Sequence, residues 1–283
     1  MTVLARLYLI PQLGSMQLAR IRLAHIQACL DAIEDRAPRT IQHVRGVASK
    51  AFRQAVAWQL IPSNPVAATR APKAERPDLD VPTAIRALEL MAAAEGTVWE
   101  MPMFLAAFTG GRRGEVLAIG WEHVDPDRGR VRIDRSLERL NGEFRFKDPK
   151  TKRSRRDVAI PQIAVDRLRR WKVDQIENRL AAGPAWQDSD VVCERGDGRP
   201  IDPDSFTKAF KRMASKVGSP KTRLHDLRHA AATLMMERGV HPSVVSRSLG
   251  HASEAFTMAV YGHVRDEMLD QAAEALGEAY GPG

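Results

Sequence analysis

The chain has 283 residues, enough for one large domain or two unequal ones that each bury a core. Lysine and arginine outnumber aspartate and glutamate by 43 to 35, and this formal charge of +8 favours a polyanionic partner. Cys29 and Cys193 are the only cysteines and no stretch approaches the roughly 18 apolar residues of a membrane span, which excludes a disulfide framework, a C-x-x-C zinc site and a spanning helix.

Residues 1–80 hold 11 basic and 6 acidic side chains, so they carry +5 of the +8. The opening MTVLARLYLIPQLG has an apolar run broken by Arg6 and Pro11, which reads as a domain interior rather than a secretory signal. Over 16–33, Leu18, Ile21, Leu23, Ile26, Leu30 and Ile33 recur at spacings near three and four, the pattern of an amphipathic helix. After Ala37-Pro38, Thr40 is placed to cap a second helix running to about Leu60, with Ile41, Val44, Val47, Ala51, Phe52, Ala55 and Val56 facing inward. It stops at IPSNP, 61–65. A helical domain over 1–66 follows, and residues 67–81, with Pro72, Pro77 and alternating charges, read as a linker.

From Pro82 the pattern changes to helices near 83–94, 99–109 and 113–119, then a turn at Asp125–Gly129. Short strands are expected around Val131 to Leu137, at Phe144 and Phe146, at Val158 to Ile160 and at Val191 to Cys193. Pro161 opens a long helix to about Leu180, with Ile163, Val165, Leu168, Trp171 and Ile176 as its apolar marks. Helices fill the remainder. The expected class is mainly α with a small β-sheet (α+β), with a second domain over 82–283 ending in a tail helix near 265–280.

Four stretches carry chemistry. In TGGRRGE, 109–115, two glycines bring backbone close and Arg112 stands where a turn enters a helix, a place suited to an anion. Between Arg145 and Arg156 seven basic residues face one acidic residue, on what reads as a hairpin tip; this density points to phosphate contacts. His225 and Arg228 are three apart and share a helix face, and His251 and Tyr261 follow in LGHASEAFTMAVYGH. Of the three tyrosines, Tyr8 reads as core and Tyr280 sits in a glycine-rich tail, which leaves Tyr261. Together, two arginines can hold the non-bridging oxygens of a phosphodiester, and a histidine can take the proton of an attacking tyrosine. A lysine can then give one to the leaving oxygen. No metal or other cofactor is called for; the eight histidines include no H-E-x-x-H.

These motifs, in this order, resemble the tyrosine recombinases, and within them the phage and integrative-element integrases. YLIPQLG, IPSNP, TGGRRGEVLAIGWEHVD, PKTKRSRRDVAIP, HDLRHAAATLM and LGHASEAFTMAVYGHV carry the likeness, which runs from about Tyr8 to Val264. The resemblance implies a helical core-binding domain and a catalytic domain that clamp double-stranded DNA. It implies catalytic roles for Arg112, Lys150, His225, Arg228, His251 and Tyr261, with Tyr261 forming a 3'-phosphotyrosyl bond and with Lys152 as the alternative hairpin lysine. Glu115 and His229 match positions that support such a site. Lys147, Lys152, Arg153, Arg155 and Arg156 are the expected DNA contacts. The resemblance further implies a tetramer on DNA, accessory bending or directionality factors, no membrane, and a cytoplasmic, nucleoid-associated protein encoded by a bacterium or phage. The family's first core-binding helix has no counterpart before YLIPQLG, so a truncated start is expected. A type IB topoisomerase-like activity and a non-catalytic DNA-binding remnant are the other readings.

Overall fold

The computed structural model describes residues 3–73, 81–149 and 154–250. The chain divides into two compact units, Met1–Asp78 and Leu79–Gly283.

In the first unit a π-helical turn at Ala5–Leu9 runs into α1 (Ile10–Leu13), and α2 (Leu23–Asp31) and α3 (Pro38–Ala57) follow. The helix expected over 16–33 is split. Leu18–Arg20 forms a 3-10 turn, Ile21 and Arg22 are extended, and α2 restarts where His25 Nδ1 accepts the Arg22 N–H at 3.0 Å. Thr40 is not the cap of α3. The helix starts at Pro38, whose ring fixes φ and whose missing N–H leaves nothing to satisfy at a helix start. Ile26, Leu30, Ile41, Val44 and Phe52 are buried in one core, with Tyr8 packed at its edge, whereas Leu23 and Ala51, expected inside, are exposed.

This unit reaches further than expected. Arg45 donates to Thr69 Oγ1 at 2.9 Å and to the Ala67 carbonyl at 3.2 Å, Gln42 donates to the Pro72 carbonyl at 2.8 Å, and Val66 is fully buried. Residues 67–72 are therefore bound to the helical unit through their own carbonyls and are not a free linker.

The second unit contains α4 (Ala84–Ala92), α5 (Glu100–Thr109), α6 (Arg113–Leu117), α7 (Gln162–Ala182), α8 (Pro203–Lys216), α9 (Asp226–Glu237) and α10 (Pro242–Leu249). Its strands are β1 (Val124–Asp125), β2 (Arg130–Ile133), β3 (Ser136–Leu140), β4 (Glu143–Lys147) and β5 (Arg156–Ala159). They form two sheets. One is antiparallel in the order β1-β2-β5, with Val131 opposite Val158 and Ile133 opposite Arg156; the other is the hairpin β3-β4, with Leu137 opposite Phe146. The basic stretch is thus not the tip of a hairpin between its flanking strands. β4 and β5 pair with different partners, and the true hairpin turn is Asn141-Gly142, both with positive φ. Val191 makes only a single bridge, to Gly120.

On α7, Ala164, Val165 and Leu168 are buried, but Ile163 and Ile176 are not. From Lys172 onward every α7 residue except Gln175 and Ala182 is exposed, because the helix outruns the core beneath it. That core is built on Phe206 and Phe210 of α8, Leu90, Met101, Leu105, Leu117 and Leu168, with Trp99 stacked on Phe206 at 6.2 Å. No helix among the described residues is long and apolar enough to cross a membrane.

Phe206→Ala removes a fully buried ring and should cost about 3–5 kcal/mol of unfolding free energy in a urea titration, because the surrounding side chains cannot refill the space.

Candidate catalytic site

The site is assembled where five chain ends converge. α5 terminates at Gly110, a left-handed C-cap with φ 57, and a side chain there would place its Cβ 2.3 Å from Leu249 on α10. That reversal turns the Gly110 carbonyl toward α9, where it accepts a 2.8 Å hydrogen bond from Arg228 Nη1. Two residues later the chain enters α6. Glu115, in the first turn, reaches back to accept the Arg112 N–H at 3.0 Å, which satisfies a helix-start donor.

Glu115 also joins two arginines. Its Oε1 accepts from Arg112 Nη1 at 2.7 Å and its Oε2 from Arg156 Nη2 at 2.8 Å. The Arg156 and Glu115 side chains are only 3% and 10% exposed, whereas that of Arg112 is 44% exposed. Burial on its own would raise the Glu115 pKa, but the hydrogen bond and charge of Arg156, followed by those of Arg112, hold it down at about 2. Arg156 continues inward, donating from Nε to the Ser248 carbonyl at 2.8 Å, and Arg112 Nη2 lies 3.4 Å from the Gly250 carbonyl. Both contacts fall on the C-terminal end of α10, which is the residue before His251.

Arg156 therefore departs from expectation. It was grouped with the DNA contacts, yet it is buried and spends its guanidinium on a carboxylate and backbone carbonyls. The cause is strand alternation. In β5, Arg156 and Val158 point inward and Asp157 and Ala159 outward. Lys147 and Arg155 are exposed, with Lys147 3.5 Å from Glu138 and Arg155 3.8 Å from Asp148. Lys150, Lys152, Arg153, His251, Tyr261 and the expected tail helix lie outside the described residues.

At the start of α9, Asp226 is fully buried and accepts from the backbone N–H, Nε and Nη2 of Arg223 at 2.7, 3.1 and 2.8 Å. This clasp, which the sequence reading missed, fixes the turn carrying His225; a carboxylate three residues after an arginine at a helix start was its only trace. The His225 and His229 rings meet edge to face at 5.1 Å. Partial burial, followed by the positive fields of His229, Arg228 and Arg112, lowers the His225 pKa to about 4. His229 is lowered as well, chiefly by burial. His225 is thus neutral at pH 7, able to accept a proton or share one. Among the described residues Arg112 and Arg156 pair with Glu115, Arg223 pairs with Asp226 and Arg228 donates to the Gly110 carbonyl, and this gathering of guanidinium groups suits a phosphodiester anion.

The fold is that of the tyrosine-recombinase class of DNA-rearranging proteins. The Tn1549 transposon integrase, solved in complex with a circular intermediate DNA, superposes with a TM-score of 0.78 at 16% identity, over 96% of this chain and 91% of that one. A lambda integrase dimer bound to a core site gives 0.62 at 22% identity, over 89% and 83%. By sequence, the phage integrase family model matches residues 83–268 and the phage integrase central domain matches 1–72. An integrase of Streptomyces ambofaciens is 29% identical over 275 residues, which are 92% of this chain and 69% of that protein. The chain belongs to the phage integrase family, among the tyrosine recombinases.

Arg156→Met leaves Glu115 buried beside one arginine instead of two, and at neutral pH it should lower stability by about 3–5 kcal/mol in a denaturant titration. A carboxylate with a depressed folded-state pKa stabilises above its unfolded value and loses that contribution as pH falls. The deficit of the variant should therefore shrink between about pH 4.5 and about 2. For His225, an NMR titration of the free protein should give a midpoint near 4, and Arg112→Ala, by removing a neighbouring cation, should move it upward.

Proposed function

We propose that this chain is a site-specific DNA recombinase that cleaves and rejoins strands through a 3'-phosphotyrosyl intermediate. The observation that carries the reading is the gathering of Arg112, Arg228 and a neutral His225 in one cluster, with the C-terminal end of α10, which precedes His251 in the sequence, bonded to Arg112.

Each residue has a part. Arg112 and Arg228 hold the non-bridging oxygens and offset the charge that builds up at a five-coordinate phosphorus. The Tyr261 oxygen attacks phosphorus. A Tyr–O–P bond forms as the bond from phosphorus to the 5'-oxygen breaks, and the tyrosine proton passes to the histidine side of the site, His225 or His251. The leaving 5'-oxygen takes a proton from Lys150, or from Lys152 two residues on. A 5'-hydroxyl from the partner duplex then reverses these steps, so the bond energy is conserved and no nucleotide cofactor is consumed.

Lys147, Lys152, Arg153 and Arg155 serve this chemistry as phosphate contacts, and their charge adds a salt-dependent term to affinity. Exchange between two duplexes cuts four strands, one tyrosine per strand, so the working assembly is a homotetramer on DNA. DNA-bending or directionality factors assist it, and it acts on the nucleoid of a bacterial host.

The test is a nicked suicide duplex carrying the element's attachment core. Wild-type protein should form a covalent adduct that survives denaturation, Tyr261→Phe should form none while still binding the duplex, and Arg112→Ala should slow cleavage by roughly 100- to 1,000-fold. Wild type forming no more adduct than Tyr261→Phe would remove the catalytic reading and leave a DNA-binding remnant. Relaxation of supercoiled plasmid without recombinant product would assign a topoisomerase.

A further inference from the structure

A second cationic cleft lies on the catalytic unit, apart from the cluster around Glu115. It has a volume of about 660 Å³ and is rimmed by Arg139, Arg195, Arg199, Lys208 and Arg212, with Asp202 as its one carboxylate. Trp99 and Phe144, both half-buried, contribute to its apolar lining.

The rim is under-compensated. Arg139 is shared between Asp202, at 3.4 Å, and the face of Phe144, at 5.7 Å, and Arg199 is clasped by Asp197 at 2.6 and 2.9 Å. Arg195, Lys208 and Arg212 form no ion pair among the described residues, although most arginines of this unit do, including Arg112, Arg113, Arg135, Arg167 and Arg179. On α8 the buried face is Phe206, Ala209, Phe210 and Met213, while Ser205, Lys208 and Arg212 line the cleft at helical spacing. Lys208 and Arg212 are like charges one turn apart, an arrangement that weakens a helix unless an anion lies across it. They stand about 6 Å apart along the helix axis, which suits phosphates one or two base steps apart at about 3.4 Å of rise per step.

The cleft is also tied to the reacting site. Arg113, the residue after Arg112, bonds Asp204 at 2.8 Å and Thr207 at 2.7 Å, so the face of α8 next to the cleft is pinned to the helix start that presents Arg112.

We infer that this cleft seats the sugar-phosphate backbone of DNA away from the reacting phosphate, as a second anchor on the same unit. The inference rests on the recombinase reading and extends it to residues outside the family motifs quoted above. The anchor supplies affinity and register without touching the reacting atoms.

Its test is the salt dependence of duplex binding by the full chain, followed by fluorescence anisotropy. Combining Arg195→Ala, Lys208→Ala and Arg212→Ala should reduce the slope of log affinity against log salt by about three, at roughly 0.9 per neutralised phosphate. Alanine at the two α8 positions keeps the helix favourable, and an unchanged thermal melt checks the fold. Lys208→Glu with Arg212→Glu should weaken binding further, whereas Arg170→Ala on α7 should leave the slope unchanged. An unaltered slope in the triple variant overturns the anchor. If the slope is unaltered while calorimetry shows a free deoxynucleoside triphosphate binding wild type but not the triple variant, the cleft is a nucleotide site and the DNA assignment is likewise overturned. Wild type with no affinity for duplex even at low salt would instead sink the recombinase reading, and the anchor with it.

Discussion

One buried carboxylate governs the geometry of this site. Glu115 accepts hydrogen bonds from Arg112 on one side and Arg156 on the other, and so joins the α6 helix start to the β5 strand, while both arginines reach on to carbonyls at the α10 C-terminus. Its negative charge is stable in so dry a place only because two guanidinium groups face it, and those groups tolerate each other only because it stands between them. The arrangement is thus cooperative. Loss of any one partner leaves a buried charge uncompensated, which costs far more than one hydrogen bond. The side chain that remains partly open to solvent is Arg112, so the network ends in the guanidinium best placed to receive an outside anion.

Charge is handled differently across the second unit. Around Glu115 and Asp226 the arginines are paired, directional and rigid, as a transition state with developing charge requires. Along α8, Lys208 and Arg212 are exposed and form no ion pair among the described residues. The low pKa of His225 follows from the same crowding. Partial burial, His229 and the guanidinium groups of Arg228 and Arg112 make its protonated form unfavourable and outweigh the opposing charge of Asp226, so the site holds a neutral imidazole at pH 7.

Much of this was legible in the sequence because period and spacing are local. The helices from 84 to 117 and from 162 to 182 were marked by apolar recurrence and by Pro161, and Arg112, His225 and Arg228 by their motifs. What was not legible depends on pairing across the chain. Nothing local says that β5 pairs with β2 rather than β4, and that choice alone turns Arg156 from a surface cation into an interior one. Likewise, residues 67–72 have the composition of a linker. Their membership of the helical unit depends on Gln42 and Arg45, more than 20 positions away, binding their side chains and carbonyls. Asp226 and Glu115 illustrate the same limit, since a carboxylate in a first helical turn is ordinary until its burial is known.

Gly250 ties this network to the end of α10. Gly250 closes α10 in the left-handed conformation at φ 68, and a side chain there would set a Cβ 2.9 Å from Arg156 Nη1. A glycine is therefore required both by the backbone angle and by the guanidinium packed against it. His251 is the next residue in the sequence, and Tyr261 lies ten positions beyond it. The cap in turn is held by Arg156 at Ser248 and by Arg112 at Gly250 itself. The same carboxylate that orients Arg112 is thereby coupled, through Arg156, to the helix end that Arg112 also reaches directly.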